Sequence, residues 1–185
     1  MFILATLLAF AAPQQCPVPL AKPPGFNGGF GGKVAIDEDR AVVTDQRTCA
    51  SQGCPEGCAF LYRFEPITGG WNYEGALHRA DQGNIDVTGS GVELDGSTLA
   101  VGSPGDYAPS TVRTGSVTLW EDSGAGWIEG QTLFPSNEAM DGGFGASMDL
   151  EGDMLVVGNT WSFWDERGTV NVFRRDASGV WSEST

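Results

Sequence analysis

Two loops hold the side chains best able to do chemistry. Asp106-Tyr107 lies in one, and WSFWDER, residues 161 to 167, forms most of the other. Aromatic rings beside carboxylates and an arginine stack on sugar rings or anchor a partner protein, because each ring covers a large area at little cost in rotamer freedom. Tyr107, Trp161, Phe163, Trp164, Asp106 and Asp165 are therefore the candidate ligand-binding residues, with a protein or a glycan as the ligand. The competing expectation for rings of this size is packing between neighbouring structural units.

Catalysis has less support in the sequence. His78 is the only histidine, so a Ser-His-Asp unit would depend on it alone, and no nucleophile is placed beside it. Asp106 and Asp165 could serve as the acid and base of glycoside hydrolysis. The chain carries 24 acidic residues, however, so such pairs arise by chance. GGFGG at 28–32 lacks the spacing of a phosphate-binding loop and opens a strand instead of a helix. No catalytic residue and no cofactor is expected, and a carbohydrate-active enzyme is the alternative.

The 185 residues carry a formal net charge of −14. A field of that sign repels nucleic acid and anionic membrane surfaces, so neither is an expected partner. Residues 2–12 form one apolar run, too short to span a bilayer but of the length of a signal-peptide core. Ala9-Phe10-Ala11 fits the small-x-small cleavage pattern, although no Lys or Arg precedes the run. The expectation is a signal peptide at 1–11, export to the medium or cell surface, and no membrane insertion after cleavage. Residues 12–29, rich in Pro and Gly, read as a linker. Cys16, Cys49, Cys54 and Cys58 are an even set in an exported chain and are the disulfide candidates, with three connectivities open. Their spacing matches a zinc site poorly, so no metal is expected.

The elements that must carry these loops recur. FGASMDLEGDMLVVG, residues 144–158, alternates apolar and small or polar residues about a Glu-Gly-Asp turn, the period-2 signature of a β-hairpin. The same pattern occurs around Ile36 and Leu94. Ile36 to Leu94 is 58 positions and Leu94 to Leu150 is 56. Gly57, Gly115 and Gly168 each precede a third strand, and Trp71, Trp127 and Trp181 each open a fourth. Repeats at this period with four short strands are the order of β-propeller blades. The expected fold class is all-β: three four-stranded antiparallel repeats at 30–86, 87–142 and 143–185, the last strand incomplete, forming a partial or open propeller. A β-sandwich is the competing all-β arrangement.

Phe144-Gly145, Leu155-Val156-Val157-Gly158 and Gly168 to Phe173 together resemble the FG-GAP repeat, as does Leu99-Ala100-Val101-Gly102-Ser103-Pro104. The first copy departs most, with Thr44-Asp45 in place of Val-Gly and a cysteine-rich insertion. The resemblance covers residues 30–185 and implies a β-propeller of the kind found in integrin α-chains and secreted bacterial proteins. It further implies binding or adhesion as the function. Members of that family often hold calcium in a D-x-D-x-D-G-x-x-D loop, which is missing here. Turns as short as Asp37–Arg40 or Glu151–Met154 cannot supply the six to eight oxygens that calcium takes. Asp149, Glu151 and Asp153 therefore read as solvated turn and strand residues. Three repeats are fewer than a closed propeller uses. Two expectations follow: the chain is a truncated piece of a longer propeller, or copies associate as a homo-oligomer to complete one.

Overall fold

The computed structural model describes residues 20–24, 29–46, 57–79, 88–137, 142–159 and 168–184. Twelve strands occupy them. The first group is β1 (Phe30–Asp37), β2 (Arg40–Asp45), β3 (Cys58–Glu65) and β4 (Gly70–Leu77). The second is β5 (Gly91–Asp95), β6 (Thr98–Ser103), β7 (Ser116–Asp122) and β8 (Trp127–Leu133). The third is β9 (Ser147–Glu151), β10 (Met154–Asn159), β11 (Thr169–Arg175) and β12 (Trp181–Glu183). Each group forms one antiparallel sheet with its strands in chain order. The described residues contain no helix, and therefore none long and apolar enough to cross a membrane.

The three hairpins pair in the register their patterns require. Ile36 faces Ala41, Leu94 faces Leu99, and Leu150 faces Leu155. A one-residue slip would move every apolar side chain to the other face, so the alternation itself fixes the pairing. The tight turns repeat as well. Glu38, Gly96 and Gly152 have φ of 49°, 54° and 56°, the left-handed value that a two-residue hairpin turn demands.

The sheets are joined by apolar cores. Val42, Ala59 and Leu61 of the first sheet pack against Val92, Leu94, Leu99, Val101 and Trp120 of the second. Ala100, Val117, Leu119 and Leu133 of the second pack against Phe144, Leu150, Leu155, Val157, Phe173 and Trp181 of the third. Equivalent residues thus form the same joint twice. The leading strands β1, β5 and β9 lie next to one another in succession. Behind the first sheet, Leu20 joins a core with Ala41, Val43, Phe60 and Tyr62. There the Tyr62 hydroxyl donates to the Ala21 carbonyl at 2.8 Å. Burial, followed by the nearby Tyr73, pushes the Tyr62 phenol up to about 12, so it remains a donor at neutral pH.

Candidate functional site

The loop between β6 and β7 is built from a buried centre outward. Asp106 is 7% exposed. Its carboxylate accepts from Arg79 Nη1 in a very short ion pair and from Ser116 Oγ at 2.7 Å. Arg79 Nη1 also donates to Ser116 Oγ at 3.2 Å. The Asp106 main chain is fixed on both sides: its N–H donates to the Ser103 carbonyl and its carbonyl accepts from Gly115 N–H. A buried carboxylate and guanidinium satisfy each other only when such additional hydrogen bonds fill their remaining positions. This network does so, and it ties the linker after β4 to the loop ahead of β7.

Tyr107 sits on top of that network. Its N–H donates to Asp106 Oδ1 at 2.7 Å, while the residue itself is 47% exposed. Tyr107 and Arg113 form an antiparallel bridge, and Arg113 Nε donates to the Gly105 carbonyl at 3.2 Å. A further turn closes the loop tip, with Ala108 N–H donating to Val112 and Thr111 N–H to Ala108. Neighbours in sequence therefore take opposite roles: Asp106 faces inward as a brace and Tyr107 presents its ring at the surface. Trp161, Phe163, Trp164 and Asp165 lie outside the described residues, as do Cys16, Cys49 and Cys54. Cys58 is fully buried at the start of β3. The signal peptide at 1–11 also lies outside the described residues.

At the opposite end, a cleft of about 410 Å³ opens between the first two sheets. Arg63, Glu74, Leu77, Asp122 and Trp127 line it. Arg63 bonds Glu74 Oε1 at 2.8 Å and Asp39 Oδ2 at 2.9 Å. The Glu74 hydrogen bond first, with Asp39 adding to it, raises the Arg63 pKa further. One face of Trp127 is already covered by the Arg40 guanidinium, 5.6 Å from the ring centroid. Arg40 in turn bonds Asp122 Oδ2 at 2.6 Å and the Gly96 carbonyl at 3.1 Å. Arg63 and Glu74 are thus paired within the first sheet and Asp122 is paired with Arg40 across the two sheets, so the polar groups of this cleft are already engaged and it offers a ligand less than the Tyr107 loop does.

No three His, Cys, Asp or Glu side chains converge on a common point among the described residues. Asp153, one of the acidic turn residues, is bonded to Arg175 Nε at 2.7 Å. Arg79 and Ser116 were not legible as site residues, because neither stands in a motif and 37 positions separate them. No protein-family model matches the chain, and no curated protein sequence does.

Proposed function

We propose that this chain is an exported repeat module of the β-propeller type, similar to FG-GAP proteins, that binds a protein or glycan ligand through its loop end and performs no catalysis. The up-and-down order of each four-stranded sheet, and the recurrence of one joint between successive sheets, support the propeller reading. Export to the medium or cell surface rests on the apolar run at 2–12. The observation that carries the binding role is the Tyr107 loop: an exposed ring held on a backbone that a buried ion pair immobilises. Binding is favoured by such an arrangement because little backbone entropy remains to be lost when the ligand arrives. Catalysis is disfavoured because the buried carboxylate of the loop, Asp106, is already committed to Arg79 and Ser116.

The test is surface binding of the full chain to immobilised neutral oligosaccharides and, in a separate panel, to purified cell-surface proteins. Tyr107→Ala is compared with the native chain. The expected result is saturable binding to one panel that Tyr107→Ala weakens by about tenfold or more, the scale of a single aromatic anchor, while the unfolding midpoint is unchanged. Binding that survives Tyr107→Ala unchanged would place the site elsewhere.

A further inference from the structure

The joint between sheets has two halves, and each half can be specified by residue. The advancing half is a glycine followed by an apolar leading strand. Gly89 and Gly145 hold φ of 86° and 92°, and both are pressed against the preceding sheet. A Cβ on Gly89 would lie 2.8 Å from Thr44 Cβ, and one on Gly145 would lie 2.5 Å from the Ser116 carbonyl oxygen. Behind them, Val92 and Leu94 are 5% and 7% exposed, and Leu150 is 8%. The receiving half has an apolar face, whose centre is Ala59 in the first sheet and Val117 in the second, 1% and 0% exposed. It also has a carboxylate clasp. Asp37 Oδ2 accepts from Gly96 N–H at 2.8 Å, and Asp95 Oδ2 accepts from Gly152 N–H at 2.5 Å. The clasp therefore always runs from the end of one leading strand to the turn of the next sheet.

Both halves also occur unengaged. On the first sheet, Gly31 has the same left-handed φ of 93°, yet a Cβ there would meet nothing within 4 Å. Val34 and Ile36, the counterparts of Val92 and Leu94, are 68% and 67% exposed. The turn residue Glu38 has the conformation of Gly96 and Gly152. The segment Leu20–Pro23 reaches Tyr62 on β3 and Asp45 at the end of β2, and it leaves those β1 residues open. On the third sheet, Val170 occupies the position of Ala59 and Val117 but is 67% exposed, with Val156 and Val172 beside it. Glu151 stands where Asp37 and Asp95 stand, and it is exposed. Gly158 stands at the repeat position of Thr44, whose Oγ1 donates to the Gly89 carbonyl at 2.7 Å, and the Ser147 hydroxyl lies beside it on the third sheet.

We infer that the third sheet is a receiving face for the first sheet of a second copy of this chain, so that copies associate head to tail. The occupant follows from continuity with the two joints already made within the chain. The uncovered face of the third sheet repeats the receiving half, and the complementary advancing half stands uncovered on the first sheet of the same molecule. Such a contact is heterologous: the two copies contribute different surfaces. The inference does not depend on whether the loops bind a ligand.

Light scattering and sedimentation equilibrium of the full chain over a roughly hundredfold concentration range test it. The expected mass rises above the 19.5 kDa of one copy as concentration increases. Ile36→Lys removes the advancing half and Val170→Lys the receiving half. Each is expected to hold the mass at one copy while circular dichroism and the unfolding midpoint stay native, since both side chains are exposed. Val34→Lys reads the advancing half a second time should Ile36→Lys perturb folding. An equimolar mixture of Ile36→Lys and Val170→Lys is expected to recover a two-copy species, because each retains the half that the other lost. A native chain that stays at one copy throughout, association that survives both substitutions, or a mixture that fails to recover would each overturn the inference.

Discussion

Removing the Asp106 carboxylate is the sharpest perturbation of the Tyr107 loop. Its side chain is 10% exposed and that of its partner Arg79 is 5% exposed. Asp106→Ala deletes the ion pair and leaves the guanidinium buried with the Ser116 hydroxyl, while Ser116 Oγ and Tyr107 N–H lose their acceptor. Removing one partner of a buried ion pair costs about 3–5 kcal/mol, a large part of the 5–15 kcal/mol that holds a typical domain folded. Asp106→Asn keeps an oxygen for Ser116 and Tyr107 but removes the same charge from beside Arg79, so its cost lies at the lower end of that range, about 3 kcal/mol. With a urea slope of about 2 kcal/mol/M, the Ala variant lowers the unfolding midpoint by about 2 M and the Asn variant by about 1.5 M. Equilibrium urea unfolding, followed by tryptophan fluorescence and circular dichroism together, measures both shifts. Arg79→Ala added to Asp106→Ala should cost far less than the sum of the single changes, because both remove one interaction. A midpoint shift below about 0.5 M for Asp106→Ala, or full additivity in the double variant, would refute the assignment of Asp106 as the brace of the loop.

Two further outcomes follow from the joints. Gly102→Ala drives a methyl group into the Gly145 carbonyl, where backbone on both sides cannot yield. The expected loss is about 1–3 kcal/mol or more, read as a lowered thermal midpoint. Gly96→Ala is the control, since its Cβ would meet nothing within 4 Å and only the φ of 54° is strained. Burial, and then the neighbouring Asp149, raise the Glu93 carboxyl above its ordinary 4.5. The folded state thus holds that proton more tightly than the unfolded chain does, and this contribution to stability is complete below about 4.5 and falls as pH rises towards the folded value. Glu93→Gln should flatten that part of the stability–pH profile, measured by urea midpoints at successive pH values.

The hairpins were legible in the sequence because strand alternation and turn chemistry are local. Ile36, Leu94 and Leu150 recur at nearly equal intervals, and each faces its expected partner across the turn. The up-and-down strand order follows from strands met in succession along the chain, and the three sheets each carry four strands. The joint between sheets was harder to see. Asp37 and Asp95 read as ordinary turn acids, and nothing local says that each receives an N–H from a turn 59 or 57 residues further on. Asp106 and Tyr107 stand out as a pair worth attention, but adjacency in a loop does not tell which side chain points inward. That depends on Arg79, 27 positions earlier, which binds Asp106 only once β4 and β7 are in place. Long-range polar pairing leaves no periodic trace, and this is why the brace escaped while the strands did not.

The two ends of the sheets are under different physical constraints. At the hairpin end, the turns that close the leading hairpins are two residues long, and within the chain Asp37 and Asp95 clasp the turn amides of Gly96 and Gly152 between sheets. Arg40 and Arg175 reinforce them. Arg40 bonds Asp122 and covers Trp127, and Arg175 bonds Asp153 and Glu121 and covers Trp181. A change of length or charge there would disturb a joint, so that end can vary little. The loops at the other end, 46–57, 104–115 and 160–168, join β2 to β3, β6 to β7 and β10 to β11, and they differ in composition from one repeat to the next. The described one of them, around Tyr107, is anchored by the Asp106 network at one point and at its end by a bridge from Thr114 and Gly115 to Phe144, and its tip carries no clasp. On the proposed binding role, the exposed tip around Tyr107 can change without touching the contacts that stack the sheets. Substitutions at Tyr107 should accordingly alter binding without altering the mass of the assembly, and substitutions at Ile36 or Val170 should do the reverse. Any variant that moved both readouts together, with the fold intact, would show that the two ends are coupled and that this division of roles is mistaken.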